Sequence, residues 1–329
     1  MLAHPSIDVN QRDSEGNTVL IAAILNNCNP NAIEELLKHP KLDVNMKSKQ
    51  GNSALDYAVA EHQNLQIAFQ LLQHPDINVN DQNCYGETPL LKAVKMSQFG
   101  LIELLLRHPS NTDPLLQDHD LRTPLHYVTS VEILQSLLNI DGIKVNQKDK
   151  NGCSPLMMMI EKEPVLDPIL IKTLLDHPQV DVNTKDTTGR TPLIAATTGN
   201  LENKAEIIEI ILHHRQVNVN EKDSNGFSAL MHAAKQSDEN IMNILLQDPR
   251  VNVNLQDWDG RTALFHAASS EHTYGNVVLL LKHPVVDASL ADHQGMTPFE
   301  HAHRNGNLRT AACLKSWPEM EGKVIEEIC

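Results

Sequence analysis

Eight glycines recur at nearly constant spacing, and they constrain the fold of this chain more than any other feature. Each opens a cassette of Gly, any residue, Thr or Ser, then Pro, Ala or Val, then Leu or Phe. The cassette glycines are Gly16, Gly51, Gly86, Gly152, Gly189, Gly226, Gly260 and Gly295, and Leu121 takes the glycine position of a ninth cassette. Subtraction of successive positions gives spacings of 35, 35, 35, 31, 37, 37, 34 and 35 residues. This period predicts a stacked solenoid, whose units bury their apolar faces against their neighbours.

The stretch that begins at Gly86 illustrates the predicted unit. Gly86 ends a turn, where a positive φ is cheap only for glycine. Thr88 suits the N-cap of a first helix and Pro89 its first position, and apolar residues follow at helical spacing. A second helix stops before Pro109, because the residue before a proline avoids the helical conformation. An extended acid–hydrophobic–Asn segment, such as residues 43–45, predicts a β-hairpin-like finger that leads to the next glycine.

This order of helix, turn, helix and finger, with Thr123-Pro124-Leu125-His126 at one first helix, resembles the ankyrin repeat. The resemblance covers nearly the whole chain. It implies an all-α ankyrin-repeat solenoid of about nine units over residues 1–316. The first unit is partial, because Met1-Leu2 aligns with Leu36-Leu37; we expect either an excised piece of a longer protein or a degenerate first unit. Residues 317–329 are predicted to form a capping helix or to begin a further segment.

The fourth cassette departs from the pattern. It lacks the glycine, Asp113-Pro114-Leu115 replaces the usual finger segment, and the next interval is only 31 residues. Insertions at 161–168 and 198–205 lengthen the turns between helices of two later units. These departures are either tolerated loop variation or, near residues 110–145, a bend or shift of register in the stack.

The composition excludes several classes of partner. There are 27 basic and 42 acidic residues, a net charge of −15, which argues against nucleic acid and against an anionic membrane surface. No apolar run reaches the ~18 residues needed to span a bilayer, so we expect no membrane insertion. We also expect a cytoplasmic protein that is a monomer. Five cysteines, odd in number and without a C-x-x-C pair, predict free thiols. We place Cys84 and Cys153 in finger tips.

Neither a metal site, a cofactor nor catalysis is predicted. Most of the 17 histidines occupy equivalent positions of different units, which stack about 10 Å apart, and metal ligands must converge within about 2 Å of one ion. Six of these histidines precede proline: His4, His39, His74, His108, His177 and His283. His213-His214 and the pair His301 and His303 are the remaining metal candidates. The chain has no phosphate-binding glycine loop and no nucleophile with a nearby base, so we expect no enzyme.

Asn45 and Asn183 are candidate modification sites. Each follows an acid and a hydrophobic residue and has a leucine eight positions earlier, which resembles the sequence that asparaginyl hydroxylases accept in ankyrin proteins. Asn10 matches in the partial unit, whereas other finger asparagines lack the acid: Asn80, Asn146, Asn220 and Asn254. The structural alternative is an asparagine amide that holds the finger by bonding to its own backbone.

The aromatic residues predict where a partner binds. Ankyrin arrays bind through finger tips and first helices on their concave side, and aromatic residues make up only 3% of this chain. The candidate contacts are Tyr85, Tyr127, Phe227, Trp258, Arg261 and Phe265, and we expect the main site around residues 227–265. Trp, Tyr and Arg are favoured at interface hot spots. The alternative is that Phe227 and Phe265 pack between repeats.

The resemblance therefore implies a protein-binding module that does no chemistry. The loops are rich in Asn, Gln, Lys and His and resemble those of ankyrin proteins that intracellular bacterial pathogens secrete into the host cytosol as effectors. A competing hypothesis is the targeting arm of a larger enzyme, with a catalytic domain outside these residues. A third is an intramolecular scaffold, for which we expect a smooth polar concave face.

Overall fold

The computed structural model describes residues 8–60, 65–109, 112–161 and 167–317. These residues form nine pairs of short helices, as the cassettes predict, and contain no β-strand. By its internal contacts the chain divides into two compact units, Met1–Lys150 and Asn151–Cys329. The segment predicted to cap the C-terminus lies outside the described residues beyond position 317.

In the N-terminal unit, first helices pack on first helices and second helices on second helices. Its helices are α1 (Val19–Leu25), α2 (Pro30–Leu37), α3 (Ala54–Ala60), α4 (Leu65–Leu72), α5 (Pro89–Lys95), α6 (Phe99–Leu106), the 3-10 helix η1 (Pro124–Tyr127) and α7 (Val131–Leu138). The first row runs α1, α3, α5, η1 and the second α2, α4, α6, α7.

The C-terminal unit repeats the arrangement. Its helices are α8 (Pro155–Glu161), α9 (Pro168–Leu175), α10 (Pro192–Thr198), α11 (Lys204–His213), α12 (Ala229–Ala234), α13 (Glu239–Gln247), α14 (Ala263–Ala267), the 3-10 helix η2 (Glu271–Thr273), α15 (Tyr274–Leu281), α16 (Pro298–Arg304) and α17 (Leu308–Ser316). The first row runs α8, α10, α12, α14, α16 and the second α9, α11, α13, α15, α17.

The cassette Thr or Ser caps the first helix, as predicted. The Thr88 hydroxyl accepts the Leu91 N–H at 3.2 Å, and Thr262 accepts the Phe265 N–H at 3.3 Å. Such a cap stabilises a helix by about 1 kcal/mol. Leu90 and its apolar neighbours are fully buried against the adjacent repeats, so the cap and the apolar stripe together account for these helices of about two turns.

The first helix of the fourth cassette is shorter than predicted. Although its Thr-Pro-Leu-His matches the family most closely, it forms only the four-residue η1. From Thr123 to the next N-cap, Ser130, is 7 positions (130 − 123), against 10 from Thr88 to Gln98 (98 − 88). The short 31-residue interval thus reflects mainly the loss of nearly one helical turn of about 3.6 residues.

The fingers are turns and not the predicted β-hairpins. The described fingers contain one isolated antiparallel bridge, Arg12 to Thr18. In the unit of Gly260, the Asp257 N–H donates to the Arg261 carbonyl at 2.9 Å and closes the loop. We call the two residues before each cassette glycine the finger tip (258–259 in this unit), and the preceding segment from the recurring Val-Asn the finger stem (253–257).

Candidate functional site

An aspartate three residues before the cassette glycine holds the finger tip, a role not predicted from the sequence. The Asp257 Oδ1 accepts the N–H groups of Asp259 and Arg261, both at 2.9 Å, and its Oδ2 accepts His266 Nε2–H at 2.8 Å. The signal was available, because seven of the nine cassettes carry this residue: Asp13, Asp118, Asp149, Asp186, Asp223, Asp257 and Asp292. Tip positions are therefore fixed before any partner arrives.

The recurring stem asparagines join consecutive repeats. Asn183 donates its Nδ2–H to the Gln216 carbonyl and accepts the Asn218 N–H on its Oδ1, both at 2.8 Å. The same two bonds link Asn45 to residues 76 and 78, and Asn220 and Asn254 repeat the pattern. These amides thus bond the next repeat and not their own finger. The geometry is the same with or without the preceding acid.

Trp258 lies in a finger tip, exposed but held in place. Its side chain is 59% exposed. The indole Nε1–H donates to the Ser224 carbonyl of the preceding finger at 3.2 Å. The ring lies so close to Gly226 that a β-carbon there would come within 2.8 Å of it. Trp258 therefore offers a large, oriented apolar surface to solvent.

Phe227 lies between two histidines on the first-helix side of the same fingers. Its ring centroid is 4.7 Å from that of His266 and 5.3 Å from that of His232, and it is partly exposed. Burial lowers the pKa of His266, although Asp257 opposes this by accepting its Nε2–H. The imidazole is consequently neutral at neutral pH and packs as a flat ring against Phe227.

Phe265 does not serve as a contact residue, contrary to the prediction. Its side chain is only 2% exposed. It stacks on His301 with ring centroids 4.3 Å apart, and the Arg261 guanidinium lies 5.3 Å from its ring centroid. The alternative reading, packing between repeats, therefore holds for Phe265. Arg261 remains accessible, with a side chain 31% exposed and an ion pair to Asp259 at 3.0 Å.

In the N-terminal unit the two candidate tyrosines differ. Tyr85 is a finger-tip residue and is 63% exposed. Tyr127 is half-buried and donates its hydroxyl proton to Asp118 Oδ2 at 2.6 Å. Burial, reinforced by that hydrogen bond, raises the pKa of Tyr127 to about 12. Tyr127 thus takes the place that histidine has in the Asp257–His266 pair, which gives this half-buried side chain a structural role.

Three of the histidines before proline fasten their own loops, and so does His214, which takes the same place but precedes Arg215. The Nδ1 of His39 accepts the Lys41 N–H at 3.2 Å, and His74, His177 and His214 make the equivalent bond. Within the described residues, the cluster of potential metal ligands that converges within 4.8 Å contains no histidine: Cys153, Glu161 and Asp186. Arg190 already pairs with both of those carboxylates, at 2.5 and 2.8 Å.

The cysteines depart from prediction in two respects. Cys153 is not in a finger tip, because it follows Gly152 and is 3% exposed. Cys28, Cys84 and Cys153 are free thiols, as predicted, but Cys313 is disulfide-bonded. Cys84 is exposed in its tip.

A cleft of about 960 Å³ lies away from the aromatic residues, at the C-terminal ends of α9 and α11. Lys172, His177, His213 and Arg215 line it. Its lining mixes surface cations with Asp176, and no buried polar side chain among those lining it is left without a partner. None of the described helices is both long and apolar enough to cross a membrane.

A comparison with protein-family models agrees with this architecture. The family model described as ankyrin repeats, in three copies, matches residues 1–81, 58–149, 128–223, 156–257 and 230–319. Among solved structures, the crystal structure of the ankyrin repeat protein EF0377 is similar. It has 23% sequence identity and a TM-score of 0.49 over 56% of this chain and 90% of that chain. No curated protein sequence matches the chain significantly.

Proposed function

Because the chain belongs to the ankyrin-repeat family, whose arrays generally act as protein–protein interaction modules, we propose that it binds a partner protein around residues 227–265. Finger tips and first helices of the C-terminal unit form the contact. The supporting observation is Trp258, 59% exposed and yet oriented by its bond to Ser224. An exposed tryptophan that is already ordered loses little conformational entropy on binding, which suits an interface hot spot.

The test is quantitative capture of partner proteins by the whole chain and by Trp258→Ala and Arg261→Ala variants. We expect each variant to lose about 2 kcal/mol of binding free energy, roughly thirtyfold in affinity, as for central aromatic or Arg truncations. Ile169→Ala is the matched control, because Ile169 is 60% exposed on the second-helix row. If both variants capture the partner normally, the binding site lies elsewhere. If their melting temperatures drop sharply, Trp258 and Arg261 contribute to packing and not to binding.

The array itself performs no catalysis in this proposal and acts as a monomer in the cytoplasm. The three free thiols fit a reducing compartment, whereas the bonded Cys313 does not follow that pattern. The competing hypothesis, a targeting arm of a larger enzyme, predicts a catalytic domain in the same reading frame. Sequencing the complete reading frame separates the two.

Asn45 and Asn183 are the proposed hydroxylation sites if the protein meets a eukaryotic cytosol. Incubation with an asparaginyl hydroxylase, followed by tryptic mass mapping, should show one added oxygen atom at each. Asn220 and Asn254 are internal controls, because they make the same inter-repeat bonds without the preceding acid. Equal modification of the controls contradicts the proposed sequence determinant.

The effector role is a separate hypothesis that rests on the loop composition alone. If the chain is translocated into host cells, a reporter enzyme fused to it should be active in the host cytosol and silent when the secretion system is deleted. Signal that does not depend on secretion removes this hypothesis and leaves the binding proposal intact.

A further inference from the structure

Aromatic rings in residues 227–265 each carry a cation on or near one face. The Nζ of Lys222 lies 4.7 Å from the Trp258 ring centroid, and the Nζ of Lys235 lies 4.8 Å from that of Phe227. Arg261 stands over the buried Phe265 in the same way. We call the accessible members the cation–aromatic strip: Lys222, Phe227, Lys235, Trp258 and Arg261. Trp258 covers Gly226, the neighbour of Phe227 in sequence, so both rings belong to neighbouring positions of the same fingers.

The aspartate carboxylates beneath this strip are buried and already hydrogen-bonded, so they are not accessible to a ligand. The Asp223 side chain is 4% exposed; its Oδ1 accepts two backbone N–H groups and its Oδ2 accepts His232 Nε2–H. Asp257 and Asp292 are 3% and 1% exposed and are bonded in a similar way.

The cations, in contrast, reach the surface. Lys235 is exposed and has no ion pair with any described residue. Lys222 donates to the Gln256 carbonyl and makes no ion pair with a carboxylate of the described residues. Asp259, the exposed acid of the tip that carries Trp258, already pairs with Arg261. Burial lowers the pKa of His266, and Lys235 and Arg261 lower it further, so their positive charges converge at these rings. On a chain of net charge −15, this strip is locally basic.

We propose that the cation–aromatic strip takes an acidic segment of the partner protein, with an apolar side chain against Trp258 and carboxylates beside Lys222 and Lys235. This inference rests on the proposed function, because it specifies the chemistry of the partner at the same site. The charge complementarity is local: a carboxylate here meets exposed ammonium groups, whereas over most of the surface it meets a negative field. The ring faces supply the apolar contact that a polyanion alone would not use.

The test measures binding of two synthetic peptides to the full chain by isothermal titration calorimetry. One alternates Glu and Ala around a central Phe, and the other carries Gln for every Glu. We expect the Glu peptide to bind more tightly and to weaken as salt rises, because exposed charge pairs are screened. Lys235→Gln should weaken the Glu peptide about two- to fivefold, the range of an exposed ion pair. Lys172→Gln, which removes an exposed lysine from α9, should change nothing.

Three results overturn the acidic assignment: equal binding of the two peptides, no measurable binding of the Glu peptide, or equal weakening by Lys235→Gln and Lys172→Gln. None of these results contradicts the proposed function, because that proposal is tested separately by partner capture with the Trp258→Ala variant. If Trp258→Ala loses capture while the peptides bind equally, the site is right and its partner chemistry is wrong. Circular dichroism of each variant confirms that the fold is retained.

Discussion

Finger stems and finger tips are adjacent in every repeat, but the residues of the stem recur whereas those of the tip vary. The stem repeats the same residues, and its asparagine amide bonds to backbone groups of the next repeat. The tip varies: the residue before each cassette glycine position is Glu15, Gln50, Tyr85, Asp120, Asn151, Thr188, Asn225, Asp259 or Gln294. Tip backbones are held by a side chain at the end of the stem, a carboxylate in seven cassettes and the Asn83 amide in another, so tip side chains are free to differ.

This difference separates information about fold from information about function. A residue that recurs in phase, such as Asn183, is explained by bonds between repeats. A residue that occurs once, such as Trp258, has no such explanation and becomes a candidate for binding. Substitutions in the stem and in the tip should therefore differ in how much they lower the free energy of unfolding.

The largest loss of stability is expected for Gly226→Ala, at the junction of tip and first helix. Gly226 has a φ of +84°, and a β-carbon would come within 2.7 Å of the Trp258 backbone N and ring. Strain and overpacking together should cost about 3 kcal/mol. Gly295→Ala is the control, because it has a φ of +79° but no atom within 4 Å of the added carbon, and should cost about 1 kcal/mol. Equal losses in urea denaturation would show that the close approach of the next finger is unimportant.

Removing one stem amide should have the next largest effect. Asn220→Ala deletes bonds of 2.8 Å to the Arg250 carbonyl and to the Asn252 N–H, which we expect to cost about 2 kcal/mol. Asn225→Ala, in the exposed tip of the same finger, should cost less than about 0.5 kcal/mol. Urea denaturation of the two variants compares stem and tip with the same chemical change. If Asn225→Ala destabilises the chain as much as Asn220→Ala, stem and tip do not differ in their contribution to stability.

The same division explains which features the sequence predicts. The glycine period, the helix caps and the helix pairing were predicted, because each depends on a residue and its near neighbours. The burial of Phe265 was only one of two alternatives, since it depends on His301, which is 36 positions away (301 − 265) in the next repeat. Likewise η1 is short although its motif is the best match, because the missing turn depends on the length of the following segment. The repeat spacing identifies equivalent positions in different repeats, but it does not show which side chains contact each other between neighbouring repeats.

A smaller effect concerns pH, through the histidine that supports the strip. Burial lowers the pKa of His266 below its usual 6.5, so the unfolded chain binds a proton at this residue more readily than the folded chain does. Its contribution to stability is therefore complete above pH 6.5 and is lost as the pH falls towards the folded pKa. We expect wild type to lose about 1 kcal/mol or less from this group between pH 7 and pH 5.

His266→Gln is the variant that isolates this effect. Its melting temperature should change less between pH 7 and pH 5 than that of wild type, whatever its absolute value. His272→Gln, on an exposed residue, should keep the wild-type pH dependence. An identical slope for wild type and His266→Gln would mean that another group, such as His301, whose pKa burial also lowers, carries the dependence.

The smallest effect is predicted for Tyr85→Ala, in the N-terminal unit, where stem and tip can be compared two residues apart. Tyr85 is 63% exposed, and two hydrogen bonds hold its backbone: its N–H donates to Asn83 Oδ1 at 2.9 Å and its carbonyl accepts the His119 N–H at 3.0 Å. Alanine keeps both bonds, so the free energy of unfolding should change by less than about 0.5 kcal/mol. Asn83→Ala, in contrast, frees the N–H groups of Tyr85 and Glu87 and should cost about 2 kcal/mol. If Tyr85→Ala proves as costly as Asn83→Ala in urea denaturation, this tip residue supports the fold and loses its candidacy as a binding residue.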